Sequence, residues 1–250
     1  VHFSKNRTGD LLEYLLFLVT IAAYFIKGLS GFGPALLVVP LFTLLAGAPF
    51  ALMTSAVLDL LAGAFLLRGV WKEIDWHFVL PVVVSISAGS FMGAQLVFMV
   101  PLVLLRRGIG IILALFIIYL LISPEPQQAE ERHPPQFHLW IVGLVSGLCG
   151  GLVGMSGPPL VAYMKYNFRK DFFRAQLIVI YLVENFVRLL VYGNRQLLPS
   201  AEWTRLSLLI PFMLAGLWLG TRFHSRISEK QFARAVAFIL IIPAVKLALF

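Results

Sequence analysis

Long apolar runs separated by short polar turns dominate this chain. Residues 11–26, 49–67, 78–100, 108–122, 137–153, 177–192, 206–220 and 233–250 each reach or approach the length of a bilayer span, which takes about 20 mostly apolar residues. Two further apolar pieces, residues 35–46 and 159–166, are too short to cross upright. Lys5 and Arg7 precede the first run, as in a leader peptide, but no small-residue cleavage site follows. The run is therefore read as a retained helix.

The pattern breaks near the middle. Residues 123–135 hold three Glu and four Pro in thirteen positions, which predicts an exposed linker. The chain divides into a first transmembrane repeat (1–122), a polar linker (123–136) and a second transmembrane repeat (137–250). Shifting the sequence by 127 lays Asp75-Trp76 on Glu202-Trp203, Gly89 on Gly216, Gly93 on Gly220 and Arg107 on Arg234. A shift of 124 lays Gly33-Pro34 on Gly157-Pro158, and a shift of 125 lays Asp59 on Glu184. A few residues inserted in loops of the second half reconcile these registers.

Each half begins with a full helix, a Gly-rich interruption and a short helix. In the first half the interruption reads Gly28-Leu29-Ser30-Gly31-Phe32-Gly33-Pro34; in the second it runs from Gly147 to Pro159. Residues 11–46 as one straight helix would extend about 54 Å at 1.5 Å per residue, far beyond the hydrocarbon core. The chain must turn back at the interruption. Three further crossings then leave the second half upside down. The predicted fold is an all-α polytopic membrane protein, with two inverted repeats of about five helical segments each and a Gly-rich re-entrant helix pair in each.

Composition agrees. Hydrophobic residues make up 60% of the chain and charged residues 13%, against about 45–50% and 25% in soluble domains. The net charge is +8, but the cations lie mostly in loops. That placement suits the positive-inside rule and argues against a nucleic-acid partner. The lone Cys149 excludes an internal disulfide framework and reads as a small core residue. The five histidines are scattered through tails, loops and span ends. No metal motif, nucleophile elbow or phosphate loop is present, so neither catalytic residues nor a cofactor is expected.

Candidate chemistry gathers at the interruptions. Pro34 and Pro158 suit the first turn of a following helix, whose free N–H groups and partial positive charge form a site for an anion. The candidate binding residues are Lys27, Ser30, Gly31, Phe32, Gly33 and Pro34, with Gly154, Met155, Ser156, Gly157 and Pro158. The competing reading is that the glycines only pack helices together. Lys27 either adds a cation to the site or snorkels to a surface. Asp59, Glu184, Asn185 and Arg188 are ionisable or polar residues within spans, where such groups are costly. Glu184 and Arg188, four residues apart, can pair. These four are candidates for coupling or gating, or for holding helices together. Gln95, Gln176 and Tyr163 are weaker candidates.

At these residues the sequence resembles the TauE/SafE sulfite exporters, also called the TSUP anion transporters. The resemblance rests on residues 28–34, residues 147–159, and Arg174-Ala175 ahead of the span holding Asn185 and Arg188. It covers essentially the whole chain, through loose Gly/Pro motifs. It implies transport of sulfite, thiosulfate or organosulfonates across the bacterial cytoplasmic membrane. The residues themselves supply the anion preference but not the sulfur.

The expected function is a secondary transporter of small sulfur-containing anions, with protons as the expected coupling ion. A passive anion channel of the same fold is the alternative, ahead of a membrane enzyme or scaffold. Loops at 68–76, 165–174 and 222–234 carry more Lys and Arg than the opposite side, which places them in the cytoplasm and both termini outside. Arg106, Arg107, Arg195 and Arg205 oppose that orientation. The direction of transport and the oligomeric state are not legible in the sequence.

Overall fold

The structure, a computed structural model, describes residues 4–31, 33–122, 135–167, 170–222 and 229–249. Only the backbone is described for 4–10, 120, 165–167, 170–173, 229–237 and 239. The polar linker to residue 134 and three of the histidines (His2, His133 and His224) lie outside the described residues.

Eleven α-helices account for the described chain. The first half holds α1 (Ser4–Ser30), α2 (Pro34–Ala46), α3 (Ala48–Val70), α4 (Trp76–Leu96) and α5 (Leu102–Ile122). The second holds α6 (Gln136–Val153), α7 (Gly157–Asn167), α8 (Lys170–Asn194), α9 (Glu202–Leu208), α10 (Ile210–Arg222) and α11 (Glu229–Leu249). Seven stretches among the described residues are long and apolar enough to cross a membrane, α9 and α10 counting together as one. The chain is a multi-pass membrane protein. The short α2 falls where the length argument required a turn-back, and it packs against α1 and α3. The seam between α9 and α10 at Leu209 lies just before Pro211, which lacks an N–H to continue the ladder.

The helices pair across the two halves. The closest partners are α4 with α6, α1 with α10, α5 with α11 and α3 with α8. Exchanging α1 for α6, α3 for α8, α4 for α10 and α5 for α11 reproduces this set of pairs. The matched glycines explain two of them. Gly89 and Gly93 of α4 lie on the backbone of α6 at Leu144–Leu152, and Gly216 and Gly220 of α10 lie on α1 at Ile21, Phe25 and Gly28. Any added Cβ would enter the neighbouring backbone. With no apolar gain between helices in lipid, such close approach is what holds them. A Phe17–Phe212 ring stack at 4.3 Å reinforces α1–α10.

Polar contacts fix which ends lie together. Arg205 of α9 pairs with Glu13 of α1 at 2.7 Å and sits over Phe50 at the start of α3. Arg195, at the end of α8, bonds Gln95 at the end of α4. At the opposite side Gln136 of α6 meets His77 of α4. There Gln176 of α8 donates to the Glu73 carbonyl at 2.9 Å and accepts from the Asp75 N–H at 3.0 Å. Gln95 and Gln176 are thus structural ties. The α1 end that carries Glu13 and the start of α6 lie on opposite sides of the protein.

Candidate functional site

The two interruptions meet in the interior, and both are narrower than their glycine content suggested. Helix α1 stays helical through Ser30, and α6 through Val153. Among the described residues of the two breaks, only 31, 33 and 154–156 are non-helical. Gly28, Gly147 and Gly151 are helical packing positions, facing Gly220 and Thr221, Ile86 and Ser90, and Ser90 and Ala94. For these three the packing reading holds. The terminating residues are Gly31 (φ 80°) and Gly154 (φ 78°). Each donates its N–H to the carbonyl four residues back, Lys27 at 2.7 Å and Gly150 at 2.9 Å. A left-handed glycine closes a helix in this way with no Cβ penalty. Helix α2 then starts at Pro34, after left-handed Gly33 (φ 95°), and α7 starts at Gly157.

Both starts open on one buried cavity of about 30 Å³. Its walls include Lys27, Gly33, Pro34, Asp59, Gly154, Met155, Ser156, Gly157, Asn185 and Arg188. Ala35, Leu36 and Tyr181 complete it. A space this size holds a water or two; an oxyanion requires the walls to part. Ser30 does not line it, and its Oγ donates to the Ile26 carbonyl within α1. Gly31 packs under Arg174, whose guanidinium donates to the Gly28 carbonyl. Pro158 stands one residue past the cavity wall, and Phe32 lies outside the described residues. Glu184 sits behind Ser156 rather than on the wall.

The charges fall into two unlike groups. Lys27 is 3% exposed, so it does not snorkel. Its Nζ meets Asp59 Oδ1 at 2.8 Å and the Asp59 carbonyl at 3.2 Å. Arg188, 1% exposed, has no carboxylate in contact among the described residues. It donates to Asn185 Oδ1 at 2.9 Å, Ser55 Oγ at 2.9 Å and the Leu52 carbonyl at 3.4 Å, and it lies over the Tyr192 ring. Its Nε has no partner. The expected Glu184–Arg188 pair does not form, because α3 supplies Arg188 with oxygens first. Glu184, 0% exposed, accepts instead from Ser156 Oγ at 2.6 Å through Oε2, while Oε1 has no partner.

Sequence reading missed Tyr181, whose unpartnered hydroxyl faces the start of α7. It also passed over Ser55 as a holder of Arg188. A helical wheel of α8 could have found Tyr181, since residues 181, 184, 185 and 188 share one face. Among the described residues no group of His, Cys, Asp and Glu could hold a metal.

The Sulfite exporter TauE/SafE family matches residues 16–247, and the chain belongs to that family, which consists of transporters rather than enzymes. A relative from Cupriavidus necator, described as a probable sulfite/organosulfonate exporter TauE, is 25% identical over 223 residues, covering 87% of this chain and 86% of the relative. No solved structure matches the chain.

Proposed function

We propose that this TauE/SafE family member is a secondary transporter of small sulfur oxyanions, such as sulfite, thiosulfate or an organosulfonate. The observation that carries the reading is the shared cavity. Two helix starts and an arginine with only neutral partners converge there. The Ala35 N–H at the start of α2 and the Gly157 N–H at the start of α7, with the Arg188 guanidinium, would hold the anion oxygens. The cavity lies between the halves, with α1 and α6 starting on opposite sides. Those placements support two inverted repeats, 1–122 and 137–250, joined by the 123–136 linker. Asp59 and Glu184, with Asn185 and Arg188, then serve coupling or gating, with protons as the coupling ion. The relative's name supports a sulfur anion as cargo. The chain would sit in the bacterial cytoplasmic membrane, with the α3–α4 turn and the linker facing the cytoplasm.

Uptake of labelled sulfite and of a labelled sulfonate by proteoliposomes tests this reading. Saturable flux that accumulates anion under an imposed proton gradient is the expected result. Saturable flux that only equilibrates would make the protein a passive channel. No flux for any small oxyanion would end the transporter reading.

A further inference from the structure

Ser156 stands between two things. On one side it lines the cavity; on the other its hydroxyl is 2.6 Å from Glu184 Oε2. Both residues are buried, at 7% and 0% exposure. The second carboxylate oxygen, Oε1, is pressed against Gly150 and has no partner. The chemistry of Glu184 can therefore reach the cavity through one hydroxyl.

A serine hydroxyl has one hydrogen to give and lone pairs to receive. An O···O separation of 2.6 Å suits either donor direction. When Glu184 is a carboxylate it can only accept, so Ser156 must donate to it. Ser156 then shows the cavity lone pairs alone, which repel an anion. When Glu184 carries a proton, its O–H donates to Ser156 Oγ. The serine hydrogen is freed and can turn into the cavity as a donor.

We propose that Glu184 and Ser156 form a proton-operated hydrogen-bond switch, in which protonation of Glu184 turns Ser156 into a donor for the anion in the adjacent cavity. This rests on the transporter reading and adds to it a stoichiometry and a sense. One proton and one anion bind together, so they cross together. Only one O–H bond is made and broken. The proton comes from water with the anion and returns to water with it. Asp59 is not equivalent, because it is engaged by Lys27 in a closed ion pair at 2.8 Å.

Other charged and titratable groups surround Glu184. Lys27 comes from α1, Asp59 from α3 and Cys149 from α6; Tyr181, Arg188 and Tyr192 share α8 with it. None of them is hydrogen-bonded to it; Ser156 is the partner that also faces the cavity.

The test measures half-saturating concentration in proteoliposomes at equal internal and external pH. The probes are labelled sulfite and labelled methanesulfonate, the second because its own charge does not change across neutral pH. The wild-type protein is expected to take up methanesulfonate more tightly as pH falls, by up to about tenfold per pH unit, the limit for one co-bound proton. In Glu184→Gln the amide N–H offers Ser156 a donor at every pH. Its affinity should sit at the wild-type low-pH value at every pH. Ser156→Ala should also be flat, but at the weak high-pH value, and Ser156→Thr should restore the slope. Size-exclusion profiles and thermal unfolding confirm that each variant is folded. A wild-type slope surviving in folded Glu184→Gln or Ser156→Ala overturns the switch, as does a wild-type protein with no slope. Absence of flux for both probes in the wild type overturns the transporter reading instead, and the switch with it.

Discussion

The two halves use the same backbone device and arm it differently. Each ends its first helix on a left-handed glycine, Gly31 or Gly154, and starts a short helix beside Pro34 or Pro158. In the first half the nearby charges cancel, Lys27 against Asp59. In the second, Arg188 is held by neutral oxygens and Glu184 by one hydroxyl. Backbone donors differ as well. Pro158 and Pro159 remove two N–H groups from the first turn of α7, whereas at the start of α2 Ala35 keeps its N–H and Leu36 donates its own to the Gly33 carbonyl at 3.1 Å. The backbone arrangement is alike in the two halves, while the side-chain chemistry differs. One half is electrically closed and the other is poised to receive charge.

The comparison breaks most visibly if the Lys27–Asp59 pair is not closed. Removing one partner strands a buried charge, at a cost of about 3–5 kcal/mol. Lys27→Met or Asp59→Asn alone should lower the unfolding temperature sharply in detergent. The double variant should recover most of the loss. Equal losses in single and double variants would mean that the pair does not compensate. The next effect concerns the open half. Arg188→Gln should raise the half-saturating anion concentration by roughly 30- to 150-fold, the equivalent of about 2–3 kcal/mol for a charged hydrogen bond. Arg188→Lys should recover only part of this, because an ammonium lacks the planar fork that Asn185 and Ser55 hold. Unchanged transport in Arg188→Gln would move the anion site elsewhere.

The smallest effect separates the two breaks themselves. An alanine in the left-handed region costs about 1–2 kcal/mol wherever it sits. At Gly33 the added methyl meets nothing closer than 3.8 Å, but at Gly154 it meets Leu52 at 2.7 Å and Val39 at 2.9 Å. Gly154→Ala should therefore be less stable than Gly33→Ala by about 1 kcal/mol or more from overpacking. Thermal unfolding of the pair, side by side, reads the difference. Equal losses would mean that the surroundings of Gly154 yield freely.

Much of this was legible in the sequence. Run lengths located the helices. The width of the breaks was not legible. Gly147 and Gly151 let α4 approach, while Gly154 adopts positive φ, and both tasks ask only for a missing Cβ. Sequence alone gives these glycines one appearance. Arg188 shows a second limit. Spacing within one helix nominated Glu184, but Ser55 and the Leu52 carbonyl, far along the chain on α3, satisfied it instead. Lys27 needed Asp59 from another helix before its burial made sense.

The crossed pairing of α1 with α10 has a consequence for biogenesis. Helix α1 finds its glycine-lined partner α10 only after the intervening residues 31–209 have emerged. Contacts this distant in sequence form slowly and leave early segments exposed while they wait. During that interval α1, with Lys27 near its end, must be sheltered by lipid or by the insertion machinery. The buried Lys27–Asp59 pair can form earlier, once α3 is in place. It would then act as a temporary clasp on the first half until α10 arrives.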